Sequence, residues 1–265
     1  MTGSRATQVG IDRLVRLAWL ERTSSLVLAG NAPQDIKAIL QNDLCDAFRS
    51  GKTEKRGSLG KTITILMKVW LTTPREFAVL RVAGLELLKG MPKKDRMAVH
   101  WGMVMAVYPF WASVAIQVGR LLKLQGSAVA AQVQRRMREQ YGERETVSRR
   151  TRYVLRSFVD WEVLRETAVA GVYEQMPAIA IAKRELAAWL IETVVLSRIN
   201  GPMTLKNLIE SASLFPFCVT QISADELASA SSRLDVVRHN LDEDLVILKP
   251  PRDATVGGLG NKRTE

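Results

Sequence analysis

The chain has 265 residues, enough for one large domain or two modest ones, and its 47% hydrophobic and 25% charged residues are ordinary for globular proteins. A formal net charge of +11 at pH 7 predicts a polyanionic partner: DNA, RNA or an acidic membrane surface. Cys45 and Cys218 are far apart and lack CxxC spacing, which excludes a disulfide framework and a zinc knuckle and predicts a reducing cytoplasm. Residues 1–10 do not resemble a signal peptide.

Helical periodicity dominates the N-terminal half of the chain. Helices are predicted over Val9–Leu28 and Gln34–Phe48, where apolar residues recur at helical spacing. Ser50–Lys61 is polar and contains glycine, which predicts a loop or a flexible joint. Thr62–Leu71 is apolar and β-branched, so a strand and a buried helix are both open. Thr73–Lys89 is predicted to be a helix, because its first four residues supply a cap, a proline and a glutamate.

The following segment, residues 97–119, contains no Asp, Glu, Lys or Arg and is long enough to cross a bilayer. However, Pro109 would kink such a span, and His100 would be costly in lipid. We therefore predict two buried core helices, Lys93–Val107 and Phe110–Leu124, in place of a membrane span. His100 is then expected to be a hydrogen-bonded residue of the core.

The most informative stretch of the chain begins at Thr146. Ser148 is predicted to cap a helix by accepting hydrogen bonds from free backbone N–H groups. At about 100° per residue, one face of this helix is apolar and comprises Thr151, Val154, Leu155, Phe158 and Trp161. The opposite face carries Arg149, Arg152, Tyr153 and Arg156. The apolar face can anchor the helix while the guanidinium groups face an anion, and ordinary solvated surface is the alternative.

A second basic helix is predicted just upstream, over Gln132–Tyr141, and it adds Arg135, Arg136 and Arg138. From Arg120 to Arg156, ten basic residues are opposed by three acidic ones, which leaves a surplus of seven positive charges. The acidic residues are Glu139, Glu143 and Glu145. Charge concentrated in this way favours a binding surface over general solubility.

A short hairpin is predicted after the basic helix. Two β-prone runs, Glu162–Thr167 and Val172–Glu174, flank a turn at Ala168–Gly171. A basic helix followed by a small hairpin is typical of a winged helix-turn-helix, so nucleic acid is the leading candidate ligand. Tyr173 lies on the predicted wing, where contact with nucleic acid and coverage of the core are equally expected.

The order of three helices and a hairpin is predicted again after Pro177. The helices are Lys183–Ile199, Thr204–Ala212 and Ser223–Ala230, the last opening on a capping box, and the hairpin strands are Leu234–Arg238 and Leu245–Leu248. Leu214–Phe217 is predicted to be an apolar loop against a core. The hairpin tip is acidic, with Asp242, Glu243 and Asp244, and would repel phosphate. This unit is therefore predicted to contact protein.

These patterns divide the chain into four segments. Residues 1–60 form an N-terminal helical segment, and residues 61–176 form a helical core with the basic winged-helix unit. Residues 177–249 form the second winged-helix-like unit. Residues 250–265 are predicted to be a disordered tail.

The chain carries no recognisable catalytic motif. Gly51–Thr53 and Gly60–Thr62 are Gly-Lys-Thr triplets, but both lack the earlier glycine and the preceding strand of a phosphate-binding loop. His100 and His239 are the only histidines. Neither has a cysteine or a second histidine at metal-ligand spacing, and neither can be placed in a recognisable catalytic triad. We therefore predict no enzymatic activity, no metal and no cofactor.

An apolar helix leading into Tyr108–Phe110, followed by a basic helix and Ser148–Phe158, resembles a known family. Over roughly Lys61–Tyr173 the chain is similar to BrxA, a small accessory protein of BREX bacterial anti-phage systems. The resemblance implies a compact helical protein with winged-helix elements and a non-catalytic, nucleic-acid-binding role in phage resistance.

We therefore predict a mainly α cytoplasmic protein, a helical bundle with winged helix-turn-helix units carrying short β-hairpins. Nucleic acid, with double-stranded DNA favoured over RNA, is predicted to bind Arg135, Arg136, Arg138, Arg149, Arg150, Arg152, Tyr153 and Arg156. Two alternatives remain: a protein-interaction subunit that joins a larger complex through its C-terminal unit, and an RNA-binding regulator.

Overall fold

The structure is a computed structural model that describes residues 10–49, 55–197, 202–220, 222–240 and 243–249. As predicted, the described chain is mainly helical, with small sheets. The helices are α1 (Leu17–Leu28), α2 (Pro33–Arg49), α3 (Lys55–Trp70), α4 (Ala78–Lys89), α5 (Met97–Val107), α6 (Pro109–Gln125), α7 (Ala130–Tyr141), α8 (Glu145–Asp160), α9 (Arg184–Ser197), α10 (Leu205–Ile209) and α11 (Ala224–Ala230). The strands are β1 (Ser127–Val129), β2 (Leu164–Glu166), β3 (Val172–Gln175), β4 (Ile179–Ile181), β5 (Met203–Thr204), β6 (Phe217–Val219), β7 (Leu234–Asn240) and β8 (Glu243–Leu248).

The first helix begins later than its apolar pattern predicts. Residues 10–16 are not helical, and α1 starts at Leu17. The segment instead lies along the end of α8, where the Val15 N–H donates to Ser157 Oγ at 3.0 Å. The indole N–H of Trp161 donates to the Val15 carbonyl at 2.9 Å. These bonds satisfy the backbone of the segment in an extended conformation, and Val9 lies outside the described residues.

The loop predicted over Ser50–Lys61 is wrong for its second half. Helix α3 already begins at Lys55, and residues 50–54 lie outside the described part of the chain. The helix continues to Trp70. Thr62–Leu71, for which the sequence allowed either a strand or a buried helix, is therefore helical up to Trp70. Burial of Ile63, Leu66 and Trp70 along one side stabilises α3 despite its glycines.

The predicted capping of the next helix at Thr73 is also wrong. A single 3-10 turn, Arg75–Phe77, precedes α4, which begins at Ala78. The Thr73 hydroxyl donates backwards to the Val69 carbonyl at 2.8 Å, so it closes the end of α3. The residue pattern of a cap was present, but the local bond to the preceding helix competes with it.

The two predicted core helices are confirmed as α5 and α6, which are bent by 117° at Tyr108. Every residue from Ala98 to Val107 is buried. In the described residues no single helix is long and apolar enough to cross a membrane, and only this bent pair passes when counted together. His100 is a core residue as predicted: its Nδ1 accepts the Trp70 indole N–H at 3.2 Å, and burial lowers its pKa to about 3.

An aromatic cluster around Trp101 joins the two halves of the chain. Its ring centroid lies between 4.8 and 6.1 Å from those of Trp111, Phe158, Trp161, Phe215 and Phe217. These rings come from α5, α6, α8 with its following residue Trp161, and the Leu214–Phe217 segment, which lies against the core as predicted. Trp189 of α9 is buried in the same core.

The predicted order of three helices and a hairpin occurs in both halves, with further short strands between the helices. After α6 the chain forms β1, α7, α8 and the hairpin β2–β3, and after α9 it forms β5, α10, β6, α11 and the hairpin β7–β8. The sheets have equivalent antiparallel orders, β1-β3-β2 and β5-β8-β7. A parallel pair, β4 with β6, lies outside both of these sheets.

Gly102 tests the close packing of α5 against α9. A Cβ atom at this position would clash with the Trp189 ring and lie 3.1 Å from Thr193 Cγ2. We expect Gly102→Ala to lower the free energy of unfolding by about 1–3 kcal/mol. Gly60→Ala is the matched control, because its Cβ meets open space on α3, and it should stabilise by up to about 1 kcal/mol. Urea denaturation measures both, and equal effects would contradict this packing.

Candidate nucleic-acid interface

Helix α8 begins three residues before the predicted cap. Its first residue is Glu145, whose carboxylate lies in the first turn, where the helix dipole favours negative charge. Ser148 is buried inside the helix and accepts a hydrogen bond from Arg138 Nη1 at 3.1 Å. The prediction of Ser148 as the cap is therefore wrong, and its hydroxyl connects α8 to α7.

The predicted apolar face of α8 is confirmed. All five of its predicted members are at most 1% exposed: Thr151, Val154, Leu155, Phe158 and Trp161. The Thr151 hydroxyl donates to the Val147 carbonyl at 2.9 Å, so no polar group of this side chain is left unsatisfied. This face fixes the helix in the aromatic core, and its rotation about its own axis is thereby set.

The opposite side of α8 carries the arginines that the periodicity placed there. Arg149, Arg152 and Arg156 are exposed and follow one another at spacings of three and four residues. We call these three side chains the α8 basic face. Arg152 donates to Glu145 Oε1 at 3.0 Å, with its side chain 56% exposed. Within the part of the chain that the structure describes, Arg149 and Arg156 form no ion pair with a carboxylate.

The remaining predicted residues of α8 lie at the edges of this face. Arg150 is half-buried. Tyr153 is also half-buried and turns towards the N-terminal helices, where it lines a cavity together with Trp19 and Phe48. Both residues are placed beside the α8 basic face, with Tyr153 on the side of α1 and α2.

The arginines of α7 point in three different directions. Arg135 is exposed, and its Nε lies 3.5 Å from Glu139 Oε1 one turn further along α7. Arg136 is half-buried and donates to Gln117 of α6 at 3.4 Å. Arg138 donates to Glu143 at 2.8 Å as well as to Ser148. The eight predicted residues therefore do not form one surface, and Arg138 has a structural role between α7 and α8.

Each carboxylate of the basic segment pairs with an arginine on the protein surface. The pairs are Glu139 with Arg135, Glu143 with Arg138 and Glu145 with Arg152. The surplus of seven positive charges was counted after subtracting these three carboxylates, so it remains when the pairs form. Exposed ion pairs are worth little in water, so a phosphate can replace the carboxylate at small cost.

The predicted hairpin is confirmed as β2 and β3, with slightly different ends. The turn between the strands contains Gly171 with φ +76°, and its N–H donates to Glu166 Oε1 at 2.8 Å. Arg165 pairs across the strands with Glu174 at 2.8 Å and remains exposed. Tyr173 is buried, and burial raises its pKa, so it covers the core and does not face a ligand.

The fold brings to the end of α8 one basic residue, Arg16, that the sequence pattern did not predict. Arg16 Nη1 lies 3.1 Å from Asp160 Oδ1, and the Leu17 N–H donates to the same carboxylate at 3.3 Å. Burial raises the pKa of Asp160, against the lowering effect of Arg16. A separation of 144 residues gives no sequence signal for this contact.

Helix α11, the last helix before the second hairpin, is acidic, whereas α8, the last helix before the first hairpin, is basic. Helix α11 carries Asp225 and Glu226 in its first turn, and the predicted capping box of Ser223 with Glu226 is confirmed. The backbone hydrogen bond from Ser223 is the main cause of the lowered pKa of Glu226. Of the predicted acidic hairpin tip, Asp242 and the side chain of Glu243 lie outside the described residues.

Comparisons with known proteins give no assignment: no family model matches the chain, and searches of curated proteins and of solved structures return no significant match. The geometry of the residues themselves is therefore the basis for a proposal about function.

Substitutions at Arg138 and Arg135 compare an arginine that connects two helices with an arginine that is only exposed. Arg138→Ala removes the donor to the buried Ser148 hydroxyl, and we expect the free energy of unfolding to fall by about 1–2 kcal/mol. Arg135→Ala removes only an exposed pair, so its effect should stay within about 0.5 kcal/mol. Urea denaturation of both variants measures the difference. Equal losses would show that Arg138 does not tie α7 to α8.

Proposed function

We propose that this protein is a non-catalytic DNA-binding protein that contacts duplex DNA through the α8 basic face. The observation that carries the proposal is the exposure of Arg149, Arg152 and Arg156 on one side of a helix whose other side is locked in the core. Because the helix is already rigid, binding phosphate orders the arginine side chains but not the backbone that carries them.

The surroundings of α8 support the proposal. The order α6, β1, α7, α8, β2, β3, with the sheet order β1-β3-β2, is the arrangement expected for a winged helix-turn-helix. In this interpretation α7 and α8 form the helix-turn-helix, α8 is the recognition helix and β2–β3 is the wing. The strands of the wing carry Arg165 against Glu166 and Glu174, so the wing has no surplus of positive charge and the main contact falls on α8.

Duplex DNA fits this surface better than duplex RNA. The major groove of B-form DNA is wide enough to admit an α-helix such as α8, whereas the deep, narrow major groove of A-form RNA excludes side chains. The three residues of the α8 basic face are all arginines and form no platform of aromatic rings, which disfavours recognition of single-stranded RNA by this face.

The second unit is proposed to contact protein and not DNA. It has the same sheet order as the first unit, but α11 carries Asp225 and Glu226 in place of arginines. Negative charge at this position repels the phosphate backbone and can attract a basic surface of another subunit. The resemblance to BrxA suggests bacterial phage defence as the setting for such a complex.

Removing the α8 basic face should weaken DNA binding and change its salt dependence. For Arg149→Ala, Arg152→Ala and Arg156→Ala combined, we expect the slope of log K against log salt to become less negative by about 2–3. A wild-type slope near −4 to −5 corresponds to about five phosphates contacted. Fluorescence anisotropy with a labelled duplex at several salt concentrations measures both slopes.

Arg184→Ala is the matched control, because Arg184 is an exposed arginine of α9 that pairs with Glu226 and lies outside the α8 basic face. Its affinity and salt slope should equal those of the wild type. The proposal fails if the wild-type affinity is indifferent to salt, or if the triple variant and the Arg184 variant bind equally well. Tighter binding to duplex RNA than to duplex DNA would favour the RNA-binding alternative.

A further inference from the structure

A half-open cavity of about 150 Å³ lies beside the α8 basic face, between the N-terminal segment, α1, α2, α3 and α8. Tyr153 lines it. Arg149 lies one turn before Tyr153 along α8, and Arg156 lies one turn after it. A cavity of about 150 Å³ can hold a benzene-sized ring. The site therefore has room for one ring-sized group that enters from the surface.

The side chains around this cavity are aromatic and cationic. Trp19 and Phe48 contact each other, with ring centroids 5.6 Å apart. The Arg16 guanidinium carbon lies 5.5 Å from the centroid of the Trp19 ring. Arg13 Nε is buried and has no hydrogen-bond partner among the described residues. Aromatic rings beside guanidinium groups are the combination that recognises a base and its phosphate.

The cationic groups beside the cavity are held in partly exposed ion pairs. Asp12 lies 3.5 Å from Arg13 Nη1 and 3.9 Å from Lys61 Nζ, and Asp160 lies 3.1 Å from Arg16 Nη1. The side chain of Arg16 is 50% exposed, so its guanidinium group is open to an anion from solvent, and a phosphate can replace the carboxylate at small cost.

We propose that this cavity binds one nucleotide unit, with its base against Trp19 and Phe48 and its phosphate near Arg13 and Arg16. The nucleotide can be an unpaired nucleotide of a bound DNA strand or a free mononucleotide. The first source rests on the proposed function, because the strand would continue from the α8 basic face. The second source does not depend on DNA binding.

Three probes test the site with the full chain: a blunt duplex, the same duplex with a single-thymidine overhang, and free thymidine monophosphate. Anisotropy of labelled duplexes and intrinsic tryptophan fluorescence measure binding. Ala47→Leu enlarges a side chain that lines the cavity without changing its charge, and Arg13→Gln removes one guanidinium group. Ala38→Leu is the matched control, because Ala38 is an exposed alanine of α2 that does not line the cavity. Circular dichroism verifies that each variant folds.

We expect the wild type to prefer the overhang duplex over the blunt one by about tenfold. Ala47→Leu and Arg13→Gln should abolish this preference, and Ala47→Leu should keep the affinity for the blunt duplex, whereas Ala38→Leu should retain both. If thymidine monophosphate binds to the wild type but not to Ala47→Leu, and the wild type shows no preference for the overhang duplex, the site is assigned to free nucleotides.

Equal affinity for the two duplexes together with no binding of thymidine monophosphate overturns the nucleotide site. Salt-dependent binding of the blunt duplex in that experiment would still support the proposed function. An overhang preference that survives in Ala47→Leu would also overturn the site, because the unpaired nucleotide would then lie elsewhere.

Discussion

The structure depends on the burial of one side of α8 in the aromatic cluster around Trp101. Phe158 and Trp161 bring α8 into contact with α5 and α6, and Phe215 adds the second half of the chain to the same cluster. Burying large rings contributes several kcal/mol, far more than any single surface contact. A rotation of α8 that hid its arginines would have to expose these rings. The outward position of the α8 basic face is therefore a consequence of the core.

The ion pairs between Arg120 and Arg156 do not prevent this surface from binding another partner. The carboxylates that oppose the arginines are held in exposed pairs, of which the pair of Arg152 with Glu145 lies on α8 itself. Such pairs contribute little stability in water, so exchange of a carboxylate for a phosphate has a small cost. Arg138 differs, because its bond to the buried Ser148 makes it part of the scaffold. Identical residue types thus have different roles according to burial.

Periodicity predicted the parts of the fold that depend on local sequence. The apolar face of α8, the core helices α5 and α6 and the β2–β3 hairpin were all recognisable, because each repeats at a regular spacing. Features that depend on contacts between residues distant in sequence could not be recognised in this way. The extended segment at Val15 is held by Ser157, and the strands β1 and β5 are too short for a pattern and exist through pairing with β3 and β8. For the candidate site, sequence placed the α8 arginines but not Arg16, which only the fold brings to Asp160.

The most direct test of the central claim is arginine-selective chemical modification, measured residue by residue by mass spectrometry with and without duplex DNA. If the α8 basic face holds phosphate, Arg149 and Arg156 will lose reactivity towards a dicarbonyl reagent when DNA is present. Arg184, an exposed arginine on α9, will react equally in both conditions. Unchanged reactivity of Arg149 and Arg156 in a sample where DNA is bound would contradict the account.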